Sequence, residues 1–162
     1  MITFWLKLFY SLYFSLSPHC SCIQQSIETE YKKSNAVFLG SILKVDTLKH
    51  FEEGLQRGYF RELHLATVKK EKIFKGETKL NLELIVTGAG YGDCGYEFEI
   101  GKKYIFYSKK RTYSIIDSIT GNDFNFSKSE KSFLYTDICD RTTDSIEIEE
   151  KRLKNYLSKS PN

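Results

Sequence analysis

Four cysteines, Cys20, Cys22, Cys94 and Cys139, constrain this chain more than any other feature. An even number of cysteines behind an apolar leader reads as a pair of disulfides, and four cysteines allow three connectivities. Joining Cys20 to Cys22 is the least favoured, because so small a ring strains the bridge. The other two patterns both tie the start of the mature chain to its middle and its end, and both remain open on spacing alone. Structural zinc sites use spacers of two to four residues between paired cysteines. One C-x-C pair and two isolated cysteines do not fit that pattern. A thioredoxin-like redox pair would need two residues between its cysteines.

The leader itself, MITFWLKLFYSLYFSLS, carries one charged side chain, Lys7. Its apolar run over 8–16 is interrupted only by serine and tyrosine. That length suits the centre of a secretory signal better than a bilayer span, which needs ~20 apolar residues. Residues 1–19 are therefore expected to be a signal peptide, 20–157 one domain and 158–162 a tail, in a secreted or extracytoplasmic protein with no membrane span. Ser15 and Ser17 offer a cut before Pro18, whereas a cut before Cys20 leaves His19 at the last leader position. The stretch LSPHC lacks the small residues that lipid attachment needs just before its cysteine, so a lipid anchor ranks below free secretion.

The remaining sequence reads as strands with a helix at each end. Hydrophobic residues make up 41% of the chain, aromatics 15%, and there are only two prolines, which favours sheet over disorder. Ile23, Ile27 and Tyr31 recur every four residues and Glu28 stands four before Lys32, the pattern of a short amphipathic helix with an ion pair. AVFLGSILKV (36–45) is a strand buried on both faces near its start, and Gly40 within it signals a bulge or close backbone approach. Residues 46–61 read as a long polar connection. A strand follows from Leu63, Leu65 and Thr67 toward Phe74, then a turn at FKGE (74–77). Leu80, Leu82 and Leu84 alternate with Asn81 and Glu83 as a half-buried strand. Further strands are expected at 103–108, 112–116 and 132–139, with a polar loop at 117–131. In the tail, Asp144 and Glu147 have capping-box spacing. Glu147, Glu149 and Glu150 precede Lys151, Arg152 and Lys154 as the helix dipole favours, and Ile146, Leu153 and Leu157 form an apolar stripe. The pattern predicts an all-β fold of five to six short strands, a small antiparallel barrel with a short N-terminal and a C-terminal helix.

Other chemistries fit poorly. The stretch TGAGYGDCG (87–95) lacks the Gly-Lys-Ser/Thr ending of a phosphate loop, and its glycines are read as freeing the backbone around a bridged cysteine. No spacing links His19, His50 or His64 to a nucleophile or metal cluster, and Glu97 and Glu99 read as a solvated edge. Tyr104, Phe106, Tyr107 and Tyr113, flanked by lysines, are core or cross-strand partners rather than a base-stacking platform. The net charge of +3 is scattered and not gathered into a nucleic-acid footprint.

Taken in order, CSC at 20–22, the amphipathic helix, AVFLGSI at 36–42, FKG at 74–76, CGYEFEIGKKY at 94–104 and CDRT at 139–142 resemble the netrin-like domain of the tissue inhibitors of metalloproteinases. The likeness is strongest to short single-domain secreted relatives and covers nearly all of 20–157. It implies a five-stranded OB-like barrel with flanking helices and the bridges Cys20–Cys94 and Cys22–Cys139. It also implies that Cys20, as mature N-terminus, chelates the zinc of a target protease through its α-amino group and carbonyl. Ser21 would then point toward the specificity pocket, and Cys22 and Ile23 would extend along the cleft. The inhibitors themselves have more cysteines and a second domain, and commonly carry Ser and then Pro where this chain has Ile23. The expectation is a secreted protein-binding module, not an enzyme, with no cofactor and no metal of its own. Its partner is a protein, most concretely a zinc metalloprotease. The alternative is an extracellular interaction domain that binds through its 46–61 and 117–131 loops without inhibiting a protease.

Overall fold

Ser26 opens the first helix: its Oγ accepts a hydrogen bond from the Thr29 N–H at 3.2 Å, satisfying a donor that has no partner within the helix. The computed structural model describes residues 20, 22–23, 25–52, 59–76, 82–89, 94–111, 114–117, 123–125 and 133–159. The expected leader and Ser21 lie outside them. Helix α1 (Ile27–Lys33) is followed by strands β1 (Ala36–Glu52), β2 (Tyr59–Lys75), β3 (Leu82–Gly88), β4 (Lys103–Arg111), β5 (Ser114–Asp117), β6 (Asp123–Asn125) and β7 (Phe133–Tyr135), and then by helix α2 (Ile146–Lys159). Ile23 precedes α1 instead of belonging to its stripe, while Glu28 and Lys32 pair at 2.6 Å as their spacing predicts. Helix α2 runs two residues into the expected tail.

The protein is mostly β, with hydrogen-bonded neighbours in the order β2-β3-β7-β4-β1-β5-β6, and β1 also pairs with β2. The sheet is mixed and not wholly antiparallel, because β3 and β7 run parallel through Ile85↔Leu134 and Val86↔Tyr135. Intervening strands separate those two, which gives the chain length to return in the same direction.

Several boundaries depart from the sequence reading. Much of the expected connection at 46–61 is strand: β1 reaches Glu52, β2 begins at Tyr59, and the ladder between them runs from Asp46↔Leu65 to Glu52↔Tyr59. Backbone groups pair regardless of side-chain polarity, so polar composition does not end a hairpin. Likewise Asp123–Asn125 in the expected 117–131 loop pairs with β5. The strand expected at 132–139 stops at Tyr135. There the Asp137 carboxylate accepts from the Cys139 and Asp140 N–H groups at 2.8 and 3.0 Å, a turn that competes with the ladder.

The leucine alternation of β3 points the other way from expectation. Leu82 and Leu84 are exposed, and Ile85, Val86 and Thr87 are buried. Successive residues face opposite sides of a sheet, and here both sides are covered. Ile85 enters a cluster with Phe38, Ile42, Val68, Tyr104 and Phe106, while Val86 joins Leu63, Phe133 and Tyr135. The run Tyr104–Tyr107 divides the same way, Ile105 and Tyr107 packing with Val37 and Leu153. Residues of β1 and β4 are thus buried on both faces, with α1 and α2 over one of them. Tyr31 fixes α1 to β2 by donating its hydroxyl to the Phe74 carbonyl at 2.7 Å.

Gly40 marks a close approach. The β1–β2 register shifts between Leu39 and Gly40, and a Cβ here would lie 2.6 Å from Val68 Cγ1 and 2.9 Å from the Lys69 carbonyl oxygen. Gly40→Ala is expected to lower stability by about 1–3 kcal/mol through overpacking. An unchanged denaturation midpoint would refute the close approach.

Candidate functional site

The N-terminal segment CSC is held by two bridges, Cys20–Cys94 with Cα atoms 5.5 Å apart and Cys22–Cys139 with Cα atoms 5.0 Å apart. This is the pairing that the resemblance implies, and no cysteine is left as a free thiol. The two receiving segments touch each other: the Ile138 N–H donates to the Cys94 carbonyl at 2.9 Å. Cys94 has φ of +59°, uncommon for a residue with a side chain. Gly95 beside it lies so close to the end of β3 that a Cβ would fall 1.9 Å from the Gly88 carbonyl oxygen. The Tyr96 N–H then donates to Thr87 Oγ1 at 2.8 Å. The missing side chain of Gly95 therefore lets the half-cystine lie against the end of β3. Residues 90–93 of the glycine-rich stretch lie outside the described residues.

Beyond the bridges, CDRT at 139–142 is the hub of the site. Asp140, Arg141 and Thr142 are all buried. Thr142 Oγ1 accepts from the Tyr107 N–H at 3.0 Å and lies 2.7 Å from Thr136 Oγ1. Asp140 pairs with Lys109, whose Nζ lies 3.8 Å from Glu30 Oε2 on α1. Burial raises the Asp140 carboxyl above the usual carboxylate range, against the opposing pull of Lys109. Burial also works against the charge on Lys109, but its acidic neighbours outweigh it and the pKa rises.

Arg141 grips Glu149 of α2 with two nitrogens, Nε to Oε1 and Nη2 to Oε2, the latter at 2.8 Å. Its third nitrogen, Nη1, donates to the Gln25 carbonyl at 3.0 Å. The Tyr107 hydroxyl donates to Glu149 Oε1 at 2.7 Å. Arg141 and Glu149 are 8% and 3% exposed, so this is a buried, bidentate ion pair. Hydrogen bonding to Glu149 raises the Arg141 pKa, and burial followed by the Glu149 carboxylate raises that of Tyr107. The sequence reading places Glu149 only among the acids that complement the helix dipole. A buried acid in α2 has no periodic signature, although its position four before Leu153, on the face that packs inward, was a usable signal.

The predicted capping box of α2 does not form. The Glu149 N–H donates to the Ser145 carbonyl at 3.1 Å, and Asp144 pairs with Lys102 at 3.0 Å, so Ser145 takes the cap position. Glu97 and Glu99 are exposed, and Glu99 also pairs with Lys102. His64 is half-buried on β2; His19 and the His50 side chain lie outside the described residues.

Two apolar side chains stand exposed beside the bridges. Ile23, directly after Cys22, is 87% exposed, and Ile138, directly before Cys139, is 40% exposed. An open groove of about 430 Å³ lies nearby between the start of α1 and α2, lined by Ile27, Glu28, Arg141, Arg152 and Tyr156 among others. Among the described residues no group of three or more His, Cys, Asp or Glu side chains could hold a metal ion, and no helix is long and apolar enough to cross a membrane. With every cysteine in a bridge, the arrangement ties Cys20 and Cys22 to the body of the protein and offers no thiol nucleophile. Compared with models of known protein families and with curated protein sequences, the chain matches none.

Proposed function

We propose that this chain is a secreted, netrin-like module whose N-terminal arm blocks a zinc metalloprotease. The observation that carries the reading is the arm: two bridges hold Cys20 and Cys22 on adjoining segments, next to a nearly fully exposed Ile23. An OB-like barrel is supported by the circuit of pairings β1–β2–β3–β7–β4–β1 and by one cluster drawn from all five strands. Bridges of this kind persist in oxidising compartments, in keeping with export. Once the leader is removed, the Cys20 α-amine and carbonyl form a compact chelate for the open coordination position of a catalytic zinc. Holding the arm rigid beforehand reduces the ordering cost of binding.

The test compares protein starting at Cys20 with protein carrying one extra alanine before it, against a panel of zinc endopeptidases. The Cys20 form is expected to inhibit at least one of them with Kd below about 1 µM, and the extension to weaken that by roughly 100-fold or more. Equal inhibition by both forms, or none by the Cys20 form, would refute the chelating arm. The alternative, an extracellular interaction domain using another face, is favoured by the exposed Leu43, Leu82 and Leu84 on the strands either side of β2. It predicts partner binding that survives the alanine extension and fails when those leucines are made polar.

A further inference from the structure

We infer that Arg141 is a positioning residue for the N-terminal arm: by holding the Gln25 carbonyl it sets the direction in which Ile23 leaves the body of the protein. The functional consequence rests on the inhibitory reading above, but the positioning itself is a property of the free protein. A disulfide restricts the separation of two Cα atoms while leaving several rotatable bonds between them. The two bridges thus bring the arm to the segments that follow β3 and β7 without fixing its heading beyond Cys22. From Ser26 onward the chain is fixed by the cap of α1, with the Glu30 N–H donating to the Ser26 carbonyl at 3.0 Å. Ile23 lies in the short span between these anchors, and the Gln25 carbonyl is where that span is gripped.

The grip is directional because the guanidinium is itself immobilised. Its planar fork is locked on both oxygens of Glu149, and Glu149 is held in turn by the Tyr107 hydroxyl from β4. Rigidity therefore passes from β4 through Tyr107, Glu149 and Arg141 to the arm. Arg152 approaches Glu149 Oε2 at 3.7 Å from the exposed side of α2, so the carboxylate has cations on two sides and only one of them reaches the arm. Burying this pair is energetically costly, and apolar residues of like volume commonly serve stability as well or better. A remaining donor aimed at the arm is what the apolar alternative would lose.

The experiment measures backbone order parameters by NMR on uniformly labelled, oxidised protein starting at Cys20, in parallel with inhibition. In Arg141→Lys a single ammonium replaces the fork and cannot serve both Glu149 oxygens and Gln25. The Ile23 order parameter is expected to fall from about 0.85 to below about 0.6 while that of Phe106 stays unchanged, with inhibition weakened roughly tenfold. Should the lysine variant not fold, the Arg141→Met/Glu149→Met double variant removes the grip without leaving a buried charge, and the same loss of order at Ile23 is expected. Unchanged order at Ile23 in a folded variant, or an equal fall at Phe106, would overturn the positioning role. Loosening of Ile23 in a protein that inhibits nothing would support the positioning role and sink the inhibitory reading instead.

Discussion

Replacing Cys22 and Cys139 by serine is expected to lower the unfolding free energy by about 4 kcal/mol. The bridge spans 117 residues of sequence, but that is not the loop it closes. With Cys20–Cys94 intact, a shorter covalent route runs two residues along the arm, across that bridge, and along the roughly 45 residues from Cys94 to Cys139. Removing Cys20–Cys94 while leaving Cys22–Cys139 reopens a loop of the same effective size. The two serine pairs are therefore expected to cost the same within about 0.5 kcal/mol, despite sequence separations of 74 and 117 residues. Removing both bridges consumes most of the 5–15 kcal/mol that domains of this size ordinarily have. Denaturant unfolding of the oxidised proteins measures each cost. A Cys22→Ser/Cys139→Ser protein within about 1 kcal/mol of the parent would show that the arm is not tied to the folded body as described.

The second large effect is expected at Glu149. Glu149→Leu leaves the Arg141 guanidinium buried without its counter-charge, and arginine cannot shed its proton to escape. It also strips the Tyr107 hydroxyl of its acceptor. The expected loss is about 3–5 kcal/mol. Adding Arg141→Met to the same protein removes the stranded charge and is expected to restore most of that stability. The cycle of four proteins measures the coupling. A small loss for Glu149→Leu alone, below about 1 kcal/mol, would mean that the pair is not closed off from water.

The features read correctly from sequence are those set by near neighbours in the chain. The ion pair between Glu28 and Lys32 follows from helix geometry. Burial of the start of β1 on both faces follows from the apolar residues at 36–39, and the close approach at Gly40 from the one residue there without a side chain. The two misread strand features, the length of β1 and the facing of β3, depend on distant partners. Residues 46–52 are strand because β2 lies alongside them, and the sense of the leucine alternation in β3 depends on which neighbours cover each face. A period of two separates the faces of a strand without saying which one is enclosed.

The same division runs through the candidate site. The sequence by itself determined the even set of cysteines and, through the resemblance, CSC and the CDRT stretch as places of interest. That Ile23 stands exposed outside the helical stripe was decided by the tertiary structure. Only the tertiary structure decided that Arg141, 116 residues beyond Gln25 in the chain, holds the carbonyl of the arm and is itself held by Glu149. Helix and strand periods arise from backbone geometry within a few residues, so they are written locally. A buried ion pair exists only where folding excludes water from two charges, and the local pattern that puts Glu149 on the inward face of α2 names neither Arg141 nor the Gln25 carbonyl as its partners.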